Sequence, residues 1–136
     1  MNQLLKSNYL FVYGTLRRDC KDSKFNLISS FVEFVGKGKV KGKLYEISWY
    51  PALILDGNSY VLGEIYRIKD QKIFDILDEY EGCSKKDKKP HEYKRELVEV
   101  KIDKRYITAW CYIYNWNIKD KKVIFSGDWC NEVKSD

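Results

Sequence analysis

Apolar and polar residues alternate with a period of two over most of this chain, and a period near 3.6 stands out in one stretch. Tyr9-Leu10-Phe11-Val12-Tyr13 is a first apolar strand that runs into Gly14-Thr15, where glycine ends a strand at little steric cost. Over residues 36–47, Lys37, Lys39, Lys41 and Lys43 share one parity, while Gly36, Gly38, Val40, Gly42 and Leu44 share the other. That pattern predicts a strand with a solvated lysine face, bent where the glycines fall. A short apolar strand follows Trp49-Tyr50-Pro51, and Asp56-Gly57-Asn58 predicts a hairpin into Tyr60–Ile68.

The helical period belongs to residues 71–81, where Ile73, Phe74, Leu77 and Tyr80 fall on one face. Asp70 is placed to cap this helix and Gly82 to end it. A second helix is predicted near residues 22–30. Two strands then flank a turn at Asp103-Lys104-Arg105. The first, from Tyr93, buries Val98, Val100 and Ile102; the second, YITAWCYIYNW, is uncharged on both faces and so reads as central. The tail FSGDWCNEV carries no clear pattern. An α+β fold results, mostly strands, with the bent lysine strand suited to a small barrel.

Length and composition narrow the class. The 136 residues fit one domain, 1–136, and the 15% aromatic content, with eleven tyrosines and four tryptophans, favours a β-rich interior. No run of about 18 apolar residues is present and MNQLLKSN lacks a signal-peptide core, so a soluble, cytoplasmic protein is expected. Cys20, Cys83, Cys111 and Cys130 lie far apart without a C-x-x-C pair and are expected to be reduced thiols. The formal charge of +5 is mild. The spacing in GKGKVKGK, with no strand before it and no helix after it, does not meet the dinucleotide fingerprint.

Chemistry is limited by histidine, of which His91 is the only one, set in the lysine-rich loop KKDKKPHEY. Histidine-based metal sites are excluded, and acid-base work falls to carboxylates. LDEYEG, residues 77–82, puts Asp78, Glu79 and Glu81 at the C-terminal end of the predicted helix, where the dipole disfavours negative charge. Glu81 follows Leu77 at i+4 and Phe74 at i+7, beside the apolar face. Partial desolvation there raises a carboxyl pKa towards the range a general base needs. Surface charges paired with lysines are the plainer reading of the same three residues, and Glu64 in VLGEIYRI is a rival base.

Taken together, VYGTLRR, GEIY, LDEYEG, YKRELVEV and SGDW, in this order, resemble the γ-glutamylcyclotransferase-like family, in the branch that includes γ-glutamylamine cyclotransferase. The resemblance covers nearly the whole chain. It implies a small mixed β-barrel flanked by one or two helices. It further implies a substrate cradle made by Tyr13, Gly14, Thr15 and Leu16, largely through backbone groups, and Glu81 as the catalytic acid/base. The implied reaction closes a γ-glutamyl amine or amino acid to 5-oxoproline and frees the amine. No metal or cofactor, no nucleic acid and no membrane enters it, and a monomer or weak homodimer is expected. The loop GCSKKDKKPHE is longer and more basic than the resemblance leads one to expect, and Asp19 stands where glycine is common, so the identity of the substrate stays open. Two alternatives stay open as well: a small-molecule-binding module of the same fold without turnover, and a barrel that binds single-stranded nucleic acid.

Overall fold

The computed structural model describes residues 6–134, and the side chains of these up to Asn131. The first five residues of the MNQLLKSN start lie outside that range. Eight strands and two short helices follow in chain order: β1 (Tyr9–Val12), β2 (Val32–Lys41), β3 (Lys43–Glu46), β4 (Pro51–Ile54), β5 (Tyr60–Ile68), α1 (Ile73–Tyr80), β6 (Tyr93–Ile102), β7 (Arg105–Tyr114), β8 (Lys122–Val123) and α2 (Trp129–Lys134).

Five strands close a barrel in the order β1-β5-β2-β6-β7, and β4-β3-β8 form a second, three-stranded sheet. The closing seam is parallel, with Leu10 of β1 facing Trp110 of β7, while the other barrel pairs are antiparallel. This is the small mixed barrel the resemblance implied. The lysine strand does bend, but it also divides. β2 carries a register shift between Phe34 and Gly36, and the chain leaves the barrel at Gly42 to become β3 of the second sheet.

Period two explains how one strand serves two cores. Phe11 of β1 and Ala109, Cys111 and Ile113 of β7 point into the barrel with Val40, Val61, Ile65, Val98 and Val100. Their neighbours Leu10, Val12, Trp110, Tyr112 and Tyr114 point outward with Tyr66 and Ile68, onto the face that α1 covers. Ile73, Phe74 and Leu77 of α1 are buried there, with Phe74 edge-on to Trp110 at a centroid distance of 6.0 Å. A strand buried on both faces reads as a continuous apolar run. That holds for β7 from Ala109 onward; residues 105–108 are mainly exposed.

Two expectations are corrected. Asp56-Gly57-Asn58 is a turn, with Gly57 at φ +79°, but β4 pairs with β3 and β5 with β1 and β2, so the turn joins two sheets and makes no hairpin. Residues 22–30 hold two single 3-10 turns, Phe25–Leu27 and Ser29–Phe31, in place of an α-helix. The second helix lies in the tail, as α2. No described helix is long and apolar enough to cross a membrane.

Candidate active site

The end of α1 fixes Glu81. Its N–H donates to the Leu77 carbonyl at 2.8 Å, the Gly82 N–H to Glu79 at 3.2 Å, and the Cys83 N–H to Asp78 at 2.8 Å. The last two bonds are the pair that defines a Schellman motif, with Glu81 as C-cap and Gly82, at φ +72°, as the left-handed residue beyond it. Asp78 at the same turn accepts from the Tyr112 hydroxyl at 2.6 Å and lies 3.4 Å from Arg95, which ties the helix end to β7 and β6. Glu81 is thereby turned out of the helix and into a hollow of about 380 Å³, mouth included.

Tyr13, Gly14, Thr15 and Leu16 line the same hollow, together with Tyr50, Pro51 and Tyr93. The structure thus brings all five sequence-predicted site residues to one place. Among the described residues no acceptor takes the N–H groups of Gly14, Thr15 or Leu16. The carbonyls are engaged: Gly14 accepts from Arg17 N–H at 3.0 Å, and Thr15 from Lys24 N–H at 2.7 Å. Gly14 is needed for approach and not for a left-handed φ, because a Cβ there would stand 2.7 Å from Pro51 Cγ. The Thr15 and Tyr80 hydroxyls share a hydrogen bond of 2.7 Å, which joins the loop to α1 one residue before Glu81. Tyr13 is buried, donating to the Tyr112 carbonyl at 2.7 Å and accepting from Leu53 N–H at 3.2 Å.

Burial pushes the Glu81 carboxyl up to about 8, and the charge of Glu92 adds to the shift. No described donor hydrogen-bonds that carboxyl, so nothing offsets the loss of water. The surrounding phenols of Tyr13, Tyr50, Tyr80 and Tyr93 are pushed up as well, burial first and the Glu81 charge among the further causes, except that at Tyr80 the bond to Thr15 acts against it. They stay neutral around neutral pH.

Glu64, the rival base, faces elsewhere. It is fully buried on the outer side of β5, accepting from Arg18 N–H at 2.8 Å and the Tyr66 hydroxyl at 2.9 Å, with Arg18 Nε at 3.6 Å. It anchors the chain just beyond the loop of Tyr13 to Leu16. Arg17 does the same from the other side: buried, it pairs with Asp19 and Asp128, each at 2.9 Å. Asp128 belongs to the SGDW motif, so the patternless tail is a clamp on the N-terminal loop. The expectation of four reduced thiols is overturned here, because Cys20 and Cys130 form a disulfide across the same junction, while Cys83 and Cys111 are free. Two cysteines 110 residues apart carry no spacing signal; only the fold makes them neighbours.

Sequence reasoning missed Tyr50, Tyr93 and Glu92. Tyr50 donates to Glu92 at 2.5 Å, and Tyr93 to the Pro51 carbonyl at 2.6 Å. The one available signal was EY directly after the basic loop. A second hollow of about 510 Å³ opens beside the first, sharing Thr15, Tyr50, Glu81 and Tyr93 and adding Trp49, Glu79 and Glu92. Lys88 and Lys89 of the basic loop line a further hollow beyond Glu92.

Known proteins resemble this chain over almost all of its length. The family model described as gamma-glutamyl cyclotransferase, AIG2-like, matches residues 10–131. A Vibrio cholerae protein provisionally named a gamma-glutamylcyclotransferase is 32% identical over 128 residues, covering 91% of this chain and 96% of its own. The Escherichia coli gamma-glutamylcyclotransferase family protein YtfP is 30% identical over 92% of this chain and 98% of its own. The solution structure of YtfP superposes with a TM-score of 0.64 over 92% of this chain and 98% of that one, at 31% identity. A crystal structure of a mouse AIG2-like protein does so with a TM-score of 0.62 over 78% and 76%, at 25% identity.

Proposed function

We propose that this chain, which belongs to the gamma-glutamyl cyclotransferase, AIG2-like family, cyclises γ-glutamyl amines or γ-glutamyl amino acids to 5-oxoproline. The observation that carries the reading is the meeting of Glu81 with the uncommitted N–H groups of the YGTL loop in one hollow. In this reading the substrate folds so that its α-ammonium lies at Glu81 and its γ-carbonyl at Gly14, Thr15 and Leu16. Glu81 takes a proton from the ammonium, and the freed amine attacks the γ-carbon to form the ring C–N bond. Negative charge developing on the carbonyl oxygen is met by the loop N–H groups, which need no reorganisation to meet it. The bond to the departing nitrogen then breaks as Glu81 returns the proton to it, and the ring nitrogen gives up its remaining extra proton through the same carboxylate to the departing amine, which leaves as an ammonium. Proton transfer of this kind supplies roughly 10²- to 10⁴-fold, and intramolecular attack an effective molarity of about 10⁵ M or more.

Release of 5-oxoproline from a panel of γ-glutamyl amides tests the reading. Wild type is expected to turn over, with kcat/KM rising through about pH 8 as the free Glu81 carboxyl ionises. Glu81→Gln is expected to remain folded by circular dichroism and to lose nearly all activity. Turnover of this variant within twofold of wild type would remove Glu81 from its role. Binding without any 5-oxoproline from wild type would leave a ligand-binding module.

A further inference from the structure

We infer that the outer face of the barrel across β5, β2, β6 and β7 binds single-stranded nucleic acid, holding phosphates with Lys39, Lys41 and Lys101 and stacking a base on Tyr106. The open hollow on this face shares no lining residue with the hollows around Glu81, so binding here is independent of cyclisation.

The strand pairings set one row of side chains across the barrel. Lys39 faces Leu62 on one side and Lys101 on the other, and Lys101 in turn faces Tyr106. All four point away from the interior, because their chain neighbours Val40, Val61, Val100 and Ile107 pack into it. Two lysines thus stand directly opposite each other, with Cβ atoms about 5 Å apart, an arrangement that destabilises a sheet. The same pair of strands does otherwise elsewhere: Glu33 of β2 faces Arg67 of β5 and forms an ion pair with it. No ion pair among the described residues involves Lys39, Lys41 or Lys101. Lysines often guard an open sheet edge, but β2 is paired on both sides at Lys39. Acids on this side are fewer: Glu99, which accepts from the Thr108 hydroxyl, and Asp103, which lines an open hollow of about 690 Å³ with Lys37, Lys39 and Lys101. Lys104 and Arg105, both exposed, add positive charge at the turn.

Lysines in a row without acid partners suit a chain of phosphates. Three strand spacings of about 4.8 Å make the row about 14 Å long, which gives room for about three phosphates. Its ends are apolar and open, with Tyr106 58% and Leu62 36% exposed, and the ring of Tyr60, opposite Lys41, lies 4.5 Å from Lys39 Nζ. An exposed ring beside a phosphate site stacks on a base that has no partner strand, which selects single strands over duplex.

Fluorescence anisotropy of a labelled oligothymidylate of about twelve nucleotides tests this on the full chain. Saturable binding is expected at low salt, with the log of the binding constant falling against log salt at a slope of about −2, three phosphates at about −0.7 each. Lys39→Ser/Lys101→Ser is expected to weaken binding about tenfold or more at low salt and to cut the slope to about −0.7. Tyr106→Ala is expected to weaken it about fivefold or more at every salt concentration and to leave the slope unchanged. Lys101→Glu, which sets an opposite charge across from Lys39, is expected to melt no lower than wild type while losing binding, so the loss is not misfolding. No saturable binding at low salt, binding that survives the two lysine substitutions, or a duplex of the same length bound as tightly would overturn the inference. Loss of binding when Lys85, Lys86, Lys88 and Lys89 become serine would overturn it in favour of the basic loop. Capture by phosphatidylserine vesicles in place of the oligonucleotide would overturn it in favour of a membrane surface.

Discussion

Replacing Glu81 by glutamine should stabilise the protein, by an amount that grows with pH. In the fold, burial first and Glu92 second hold the carboxyl at about 8, whereas in the unfolded chain it titrates near about 4.3. Between these values the folded state carries the extra proton, so stability falls as pH rises across the window, and the loss is complete above about 8. Integration gives a destabilisation of about 1 kcal/mol near pH 5, about 3.5 kcal/mol near pH 7 and about 5 kcal/mol near pH 9. These are upper limits, because water at the mouth of the hollow screens the charge. At about 3–5 °C per kcal/mol for a chain of this size, Glu81→Gln is expected to melt at most roughly 10–18 °C above wild type near pH 7 and within about 5 °C near pH 5. The other groups coupled to Glu81 do not blur the comparison. Tyr13, Tyr50, Tyr80, Tyr93, Cys83 and Cys111 are all pushed up, mainly by burial, and hold their protons across this range. Calorimetric melts of both proteins from pH 5 to 9 read the effect. A difference in Tm that does not change with pH, or a variant less stable at the alkaline end, would refute the argument that the fold holds this carboxyl at a cost.

Gly14→Val should leave the barrel folded and abolish binding of a γ-glutamyl ligand in calorimetry, because its Cβ would fall 2.7 and 2.9 Å from the Pro51 ring and displace the loop; unchanged affinity would reduce Gly14 to an ordinary turn residue. Removing the disulfide with Cys20→Ser/Cys130→Ser should lower the urea midpoint by an amount equivalent to at most about 5 kcal/mol, the chain-entropy value for a loop of roughly 110 residues. Reductant should do the same to wild type and nothing to the variant, and a midpoint insensitive to both would remove the staple from the account of stability.

The parts of this protein that could be read from its sequence are those where one local rule decides. Helix α1 was legible because Ile73, Phe74 and Leu77 repeat at helical spacing and Gly82 supplies the left-handed residue that ends it. The same local logic singled out Glu81: a carboxylate at the negative end of a dipole, flush with an apolar face, is unfavourable for the helix alone. The structure gives the reason in the Schellman turn that directs it inward. What escaped was set by closure of the chain on itself. Arg17 and Asp128 each lie in a motif but 111 residues apart, and nothing local pairs them any more than it pairs Cys20 with Cys130, yet both pairs fasten the tail to the loop after β1. The hairpin at residues 56–58 failed for a related reason, because the turn chemistry was right while the partner of β4 was decided by Leu44 facing Leu53 across another sheet. Glu92 illustrates the limit most sharply. Its only mark in the sequence is the EY pair after the basic loop, but the fold sets it against Tyr50 and within electrostatic reach of Glu81. A residue that shifts the Glu81 carboxyl and lines the adjoining hollow is thus defined wholly by long-range packing, and that is why local pattern found Glu81 before it found what surrounds it.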